Sequence, residues 1–135
     1  MADQKFLFTI ITPEGEFYKD EIDFLVFRST EGDMGILAGH IAVTAVLTSG
    51  PVVITKDGTE RTAVVHGGFV KVQEKEVIML PDAAEWPEEI DLERAQAAKE
   101  RALKRIEDRH QDEVNMERAQ AALARALMRI EMKQH

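Results

Sequence analysis

The chain changes character near residue 90, and this change limits what it can fold into more than any other feature. The last glycine is Gly68 and the last proline is Pro87. The remainder lacks both of these helix-breaking residues and is rich in alanine, the strongest helix former. The part before it consists of short apolar runs separated by turn residues. The sequence therefore predicts a strand-rich unit over residues 1–86 and a helical unit over residues 87–135.

The first unit has the pattern of short β-strands. Runs such as KFLFTIIT and RTAVVH are rich in β-branched and aromatic residues, and Asp57-Gly58 is a typical hairpin turn. Glu74-Lys75 is a second expected tight connection. We predict IAVTAVLT and PVVITK as separate strands, and a glycine-containing loop before them. About eight such strands at this spacing indicate an antiparallel β-sandwich or flattened barrel.

The second unit contains an internal repeat. Segments 93–107 and 117–131, ERAQAAKERALKRIE and ERAQAALARALMRIE, agree at 12 of 15 positions with an offset of 24 residues. Asp91 is the expected N-cap of the first helix, and residues 107–115, which are almost without apolar side chains, are expected to form the bend or a weak helical extension. The sequence predicts an antiparallel two-helix hairpin, so the fold class is α+β: an N-terminal β-sandwich followed by this hairpin.

Alanine dominates the surface through which these helices would pack. Small side chains at three- and four-residue spacings let two helices approach closely. Alanine buries less than about half of the apolar area that leucine buries, so we expect a weakly held hairpin that can open. The larger side chains expected to fill the seam are Leu103, Ile106, Leu127 and Ile130.

The composition excludes several kinds of catalytic site. The chain has no cysteine, which rules out disulfides, thiolate nucleophiles and cysteine-ligated metals. There is no phosphate-binding glycine loop. The histidines show neither metal-ligand spacing nor a partner nucleophile, and we interpret His66 as the end of a strand and His110 as solvated in the helical bend. We therefore predict a non-catalytic protein; the other two histidines are His40 and His135.

Neither a leader peptide nor a membrane span is expected. The start, MADQKFLFTI, lacks the basic residues and long apolar run of a secretory signal. Residues 34–55 carry no formal charge over 22 residues, which is long enough to span a bilayer. Glycines, a proline and hydroxyl side chains interrupt this segment, so we expect sandwich strands there and a soluble protein.

Arginines recur along one stripe of each predicted helix. Arg94, Arg101 and Arg105 are separated by seven and then four residues, which places them within an arc of roughly 40° around the helix axis. The second copy of the repeat has the same spacing. Its arginines are Arg118, Arg125 and Arg129.

Two interpretations of this stripe stay open. In the first, each arginine lies over alanine and pairs with an acid three or four residues away, as Asp91 with Arg94. In the second, the folded hairpin gathers arginines around a polyphosphate, which guanidinium groups bind well, and Glu85 and Asp91 accept from a base or ribose. Nucleic acid is a poorer ligand, because the net charge is −8 and no aromatic residue lies between the arginines.

Several stretches together resemble the epsilon subunit of bacterial F-type ATP synthases. TPEG after the first strand, EGDMGILAGH (31–40) and HGGF (66–69) occupy the places that they have in that family's β-sandwich. IDLERA (90–95) matches the family's ATP-binding signature, Ile/Leu-Asp-x-x-Arg-Ala. The resemblance covers essentially the whole chain, with one departure at Ala38, where the family often has proline.

The resemblance implies a non-catalytic rotor subunit that couples the central stalk to the c-ring and inhibits ATP hydrolysis through an ATP-sensitive hairpin. The sandwich would contact the gamma subunit and the c-ring. The hairpin would leave the enzyme active when folded, and would meet the alpha and beta subunits when extended. The implied location is peripheral, at the cytoplasmic face of the bacterial cell membrane.

The resemblance also implies that ATP acts as a regulatory ligand rather than a substrate. Whether magnesium accompanies ATP does not follow from it. The competing hypothesis is a purely structural adaptor whose hairpin is insensitive to nucleotide. The residues carried over by position as ATP contacts are Glu85, Ile90, Asp91, Arg94, Ala95, Arg101, Arg125 and Arg129.

Overall fold

The computed structural model of the chain describes residues 4–108 and 112–134. The chain separates into two compact units, Met1–Trp86 and Pro87–His135. The described part of the first unit contains strands, and that of the second contains one short 3-10 turn and two α-helices. None of the described helices is long and apolar enough to cross a membrane.

The first unit is a β-sandwich whose two sheets share a strand. Its strands are β1 (Phe6–Thr12), β2 (Gly15–Ile22), β3 (Phe24–Ser29), β4 (Gly32–Ile36), β5 (Val43–Lys56), β6 (Thr59–His66), β7 (Phe69–Val72), β8 (Glu76–Leu80) and β9 (Ala83–Glu85). One sheet has the strand order β2-β1-β8-β7-β5, and the other has the order β4-β3-β5-β6-β9.

Strand β5 is continuous, so the prediction of two separate strands at this place is wrong. Residues 43–46 pair with β7, whereas later residues pair with β3 and β6. The register with β3 shifts between Phe27, opposite Val52, and Ser29, opposite Leu47. Gly50 and Pro51 lie within this shift, where a β-bulge tolerates both residue types. The turn-like residues therefore mark a bend within one strand rather than a break.

Three other features differ from the sequence prediction. Strand β4 occupies part of the expected loop, because Gly32–Ile36 pairs with β3 over its full length. The three-residue strand β9 pairs with the end of β6 and was not predicted. Strands β1 and β8 are parallel, whereas all other described pairs are antiparallel. No short hairpin joins β1 to β8, so the connection does not impose an antiparallel direction.

The sandwich core follows from side-chain alternation along the strands. Leu25 and Phe27 of β3 are buried, whereas Arg28 is exposed. This alternation is expected, since successive side chains of a strand point to opposite faces. The largest fully buried hydrophobic side chains of the unit are Phe6, Phe8, Ile10, Ile22, Leu25, Phe27, Ile36, Ile54 and Met79.

The turn after His66 requires glycine at two successive positions. Gly67 and Gly68 have φ angles of 66° and 86°, in the left-handed region that side chains rarely adopt. A Cβ atom added at Gly68 would lie 2.2 Å from the Leu80 carbonyl oxygen and 2.5 Å from Pro81 Cα. The β6–β7 turn therefore packs directly against the backbone that follows β8.

A cluster of charged side chains connects Lys5, just before β1, to the β2–β3 and β5–β6 turns. The Lys5 ammonium lies 2.9 Å from the Asp23 carboxylate and 2.8 Å from that of Asp57. The Asp57 backbone N–H donates to Asp23 Oδ2 at 2.7 Å. That hydrogen bond, followed by the one from Lys5, lowers the pKa of Asp23 below its usual value.

The second unit begins with the 3-10 turn η1 (Pro87–Glu89), followed by helices α1 (Leu92–Glu107) and α2 (Glu113–Gln134). The predicted cap is confirmed: Asp91 Oδ1 accepts from the Arg94 backbone N–H at 3.2 Å. Lys133 Nζ lies 3.4 Å from the carbonyl oxygens of both Pro87 and Glu88, so the end of α2 returns to the start of α1. The helices are therefore antiparallel, as predicted. Part of the predicted bend, including His110, lies outside the described residues, as does His135.

We predict that Gly68→Ala strongly destabilises the β-sandwich. The new methyl group collides with backbone atoms that cannot rotate away, and the positive φ adds strain, so the free energy of unfolding should fall by more than about 3 kcal/mol. Gly58→Ala is the matched control, because Gly58 also has a positive φ, of 78°, but no atom lies within 4 Å of its added Cβ. The control should lose only about 1–2 kcal/mol in urea unfolding. Equal losses for the two variants would contradict this account.

We predict that Asp23 contributes stability that depends on pH. Its folded-state pKa is lowered, so its contribution is complete above the unfolded-state pKa and is lost as the pH falls through the folded-state pKa. Asp23→Asn should therefore destabilise the chain at about pH 7 and lose this effect progressively below about pH 4, measured by chemical unfolding. Glu14→Gln, which removes an exposed carboxylate in the β1–β2 turn, controls for the change in net charge. A destabilisation by Asp23→Asn that is the same at every pH would contradict the prediction.

Candidate functional site

Buried alanines line the two helices of the hairpin at equivalent positions of the repeat. Ala95 and Ala102 of α1 are 4% and 2% exposed, and Ala119 and Ala126 of α2 are each 1% exposed. The offset of 24 residues relates Ala95 to Ala119 and Ala102 to Ala126. The predicted alanine seam is therefore confirmed at these four positions, whereas Ala98 and Ala122, which were expected in it too, are half-buried. Both copies of the repeat use the same face.

The larger side chains fill this seam less completely than expected. Leu127 is 45% exposed, so the prediction that it fills the seam is wrong. It follows the buried Ala126 by one residue, and one residue turns the side chain about 100° around the helix axis. Leu103, Ile106 and Ile130 are half-buried. The buried side chains of the two helices are the four alanines and Met128, which is 8% exposed. Small side chains that bury little apolar area are therefore the majority among them.

The symmetry of the repeat places the arginine stripes on the same side of the hairpin. Two equivalent helices that pack antiparallel through the same face are related by an approximate two-fold axis perpendicular to both. Each of the four seam alanines directly follows an arginine, which therefore lies about 100° from the seam. Rotation about this axis exchanges the two helices but keeps each point on the same side of the plane that contains them. The two arginine stripes therefore lie on the same side of the hairpin. We call the resulting surface the arginine face: Arg94, Arg101, Arg105, Arg118, Arg125 and Arg129.

Guanidinium groups of the arginine face remain available to a ligand. Arg94 and Arg101 are exposed, and Arg125 is half-buried. Within residues 4–108 and 112–134, no carboxylate forms an ion pair with any of these three. The Asp91–Arg94 ion pair of the first interpretation is not formed among the described residues; the Asp91 carboxylate accepts from the Arg94 backbone N–H. Such a face has the chemistry to bind a polyanion in bidentate fashion.

The residues predicted to contact ATP divide between the two units. Ile90 is buried beside η1, and Ala95 is part of the seam, so neither offers a polar group from its side chain. Asp91 uses one carboxylate oxygen for the cap, and a carboxylate can accept further hydrogen bonds. Glu85 lies at the end of β9 in the sandwich unit. The remaining four predicted residues are arginines of the hairpin unit: Arg94, Arg101, Arg125 and Arg129.

A buried hydrogen-bonded group that the sequence did not predict adjoins Glu85. The His66 Nε2 atom lies 2.8 Å from Glu85 Oε2, and its Nδ1 atom lies 3.0 Å from Ser49 Oγ. His66 is 2% exposed, whereas the Glu85 side chain is 21% exposed. The prediction that His66 ends a strand is confirmed, but its partners are 17 and 19 residues away in sequence, and no local pattern indicates them.

The residue after Glu85 is fixed by aromatic and cationic contacts. The Trp86 ring stacks on Phe17 with centroids 4.7 Å apart, and Tyr18 meets it edge-on. The Arg61 Cζ atom lies 3.4 Å from the Trp86 ring centroid, which is a cation–π contact. These contacts hold the end of β9 against the sandwich. Trp86 is also the only tryptophan in the chain.

A second surface feature is a set of exposed apolar side chains on the sandwich. Val46 of β5 and Phe69 of β7 are directly paired and are 57% and 47% exposed. Leu37 and Ile41, in the β4–β5 connection, are 61% and 83% exposed. Adjacent exposed apolar side chains, such as the paired Val46 and Phe69, are typical of protein interaction surfaces. We call these four residues the apolar patch.

The described residues contain no group of three or more histidines or carboxylates that could hold a metal ion. The features described above define a protein of two units, a β-sandwich with exposed apolar side chains and a helical hairpin with exposed arginines.

Comparison with known families agrees with this class and identifies it. The β-sandwich domain of the ATP synthase delta/epsilon chain matches residues 5–87, and the long α-helix domain of the same chain matches residues 88–134. The chain belongs to the ATP synthase delta/epsilon chain family.

Individual relatives show the same relationship. The chain is 48% identical over 101 residues to the ATP synthase epsilon chain of Alkaliphilus oremlandii, covering 75% of each chain. It is 45% identical over 106 residues to the sodium ion specific ATP synthase epsilon chain of Acetobacterium woodii, covering 78% of this chain and 80% of the relative.

Solved structures share the fold. A chain of the Euglena gracilis mitochondrial ATP synthase, in a structure of OSCP, F1 and c-ring, has a TM-score of 0.84 and 25% identity, with 100% of this chain and 84% of that chain covered. A chain from the central stalk and c-ring of the Tetrahymena thermophila mitochondrial enzyme has a TM-score of 0.67 and 17% identity, with 98% and 99% covered. The second likeness concerns the fold alone.

Proposed function

We propose that this chain is the non-catalytic epsilon subunit of the central stalk of an F-type ATP synthase, where its hairpin inhibits ATP hydrolysis unless ATP holds it folded. The observation that carries the regulatory part is the arginine face on a hairpin closed by alanine. Membership in the delta/epsilon family supports the stalk assignment. The protein acts peripherally, at the cytoplasmic face of the bacterial membrane.

The apolar patch is the proposed rotor-binding surface of the sandwich. Its four side chains are too exposed to stabilise the sandwich itself, so their burial against a partner gains free energy. The proposed partners are the gamma subunit and the c-ring, since the solved relatives come from assemblies described as F1 with c-ring and as central stalk with c-ring.

The arginine face has two proposed ligands, one for each state of the hairpin. In the folded state it binds the phosphates of ATP through Arg94, Arg101, Arg125 and Arg129, while Asp91 and Glu85 accept from the ribose or base. In the extended state its charges meet acidic segments of the alpha and beta subunits.

The free energy available from ATP is sufficient for such a switch. Binding in the micromolar to millimolar range corresponds to about 4–8 kcal/mol at standard state. At a ligand concentration tenfold above Kd, a ligand that binds only the folded hairpin stabilises it by about 1.4 kcal/mol. A seam of four alanines stabilises the closed hairpin only weakly. A binding free energy of this size can therefore shift the equilibrium between its open and closed states.

We predict that the isolated full chain binds ATP, and that Arg94→Ala weakens this binding by about tenfold or more through the loss of a charge-assisted phosphate contact. Isothermal titration calorimetry gives both dissociation constants. Arg118→Ala is the matched control: Arg118 is the repeat equivalent of Arg94, is likewise exposed, and lies outside the proposed contact set. Its Kd should stay within about twofold of the parent value, since distant exposed residues act nearly independently.

Two outcomes of this titration would overturn the proposal in different ways. Absence of heat with the parent chain would favour the structural adaptor, in which the hairpin is insensitive to nucleotide. Equal weakening by Arg94→Ala and Arg118→Ala would mean that the affinity for ATP depends on the total positive charge of the hairpin rather than on the proposed site.

A further inference from the structure

The end of α2 is hydrogen-bonded to the turn that precedes α1. The Lys133 Nζ atom lies 3.4 Å from the carbonyl oxygen of Pro87 and 3.4 Å from that of Glu88. Lys133 is in the last turn of α2, and both acceptors belong to η1. All three residues are in the hairpin unit, Pro87–His135, so this contact joins the first and last elements of a single unit.

The carbonyl groups of η1 are suitable acceptors for this ammonium group. In a 3-10 turn the backbone hydrogen bonds join residues that are three apart, as the Ile90 N–H does with the Pro87 oxygen at 3.1 Å. Carbonyls at the end of a helical turn have no partner within it, so they accept from side chains or water. A lysine that donates to two such oxygens forms a charge-assisted contact, which is stronger than a neutral one.

The charges around η1 also favour a cation at this place. Glu88 and Glu89 belong to the turn itself, and Asp91 and Glu93 follow it at the start of α1. The N-terminus of a helix has a partial charge of roughly +0.5, which repels an ammonium group. The four carboxylates outweigh this partial charge, so the electrostatic environment of Lys133 is attractive.

The two ends of the hairpin differ in how they are held together. At one end, residues 108–112 connect α1 to α2 covalently. At the other end, where α1 starts and α2 finishes, no covalent connection opposes separation, and helix termini fray more readily than helix centres. The alanine seam between these ends buries little apolar area. Opening of the hairpin is therefore easiest at the end where Lys133 lies.

We propose that Lys133 is a latch residue, a side chain that holds the free end of α2 on η1 and thereby lowers the frequency with which the hairpin opens. The contact acts within the hairpin unit and needs no ligand. It goes beyond the proposed function, in which ATP alone stabilises the closed state. If both hold, Lys133 and ATP stabilise the same closed hairpin.

The test is amide hydrogen exchange of the full chain without nucleotide, measured residue by residue. Lys133→Met removes the charge and the donor but keeps an unbranched side chain. Exchange should become about three- to fivefold faster, the size expected when an exposed charge-assisted contact is lost. The informative amides lie on the opposite side of the contact: Ile90, which donates to Pro87, and Ala95, which donates to Asp91.

Two further variants separate the latch from other effects of the lysine. Lys133→Arg keeps a cation with N–H donors at a similar reach, so exchange at Ile90 should change by about 1.5-fold or less. Lys104→Met is the matched control for the loss of one positive charge, because Lys104 is exposed on α1 and forms no ion pair with a described residue. It should not accelerate exchange at Ile90. Unchanged exchange in β1 and β6 shows that each variant keeps the sandwich folded.

The pattern of exchange decides the outcome. Faster exchange at Ile90 and Ala95 in Lys133→Met alone supports the latch. Acceleration confined to the last turn of α2 would overturn it, because it would reflect only the lost interaction of Lys133 with the dipole of its own helix. Equal acceleration by Lys133→Met and either Lys133→Arg or Lys104→Met would overturn it as well. A parent chain that binds no ATP would overturn the proposed function but not the latch, since this exchange is measured without nucleotide.

Discussion

The alanine seam is the contact on which the rest of the hairpin depends. Four alanines at equivalent repeat positions let the helices approach closely but bury little apolar area. The same duplication, packed antiparallel, gathers the arginines on one face, where like charges oppose closure. Because the alanine contact is weak and the arginines repel one another, a modest free energy of ligand binding is enough to stabilise the closed hairpin. A leucine seam would bury more apolar area and stabilise the closed hairpin more strongly, so that ligand binding would change its population less.

The sandwich has the opposite character. Its core is made of large side chains such as Phe6, Phe8 and Phe27, and the turn at Gly68 fits against backbone with no space for a methyl group. Rigid units of this kind are suited to hold a partner surface and to fix individual groups. The apolar patch and the Glu85 carboxylate are both presented by this unit. In the proposed function, the sandwich therefore supplies stability and the hairpin supplies movement, and the boundary between the two units lies at residues 86 and 87.

Local sequence signals predicted much of this structure, because the features concerned depend on neighbouring residues. The Asp91 cap, the Asp57-Gly58 turn and the alanine seam each follow from conformational preference or periodicity. The continuous β5, the short β9 and the His66 hydrogen bonds were missed, since pairing with distant strands decides them. The family resemblance predicted Glu85 and four arginines as ATP contacts by position, whereas the contact of His66 with Glu85 depends on strands that are distant in sequence.

Amide hydrogen exchange of the full chain, with and without saturating ATP, tests the ligand-controlled hairpin most directly. Exchange in α1 and α2 should be faster than in the core strands without ATP, because little buried area opposes opening. Saturating ATP should slow helix exchange about tenfold at a concentration tenfold above Kd, while exchange in β1 and β6 stays unchanged. Helices that exchange as slowly as the core strands without ATP, or that do not respond to ATP, would contradict the account.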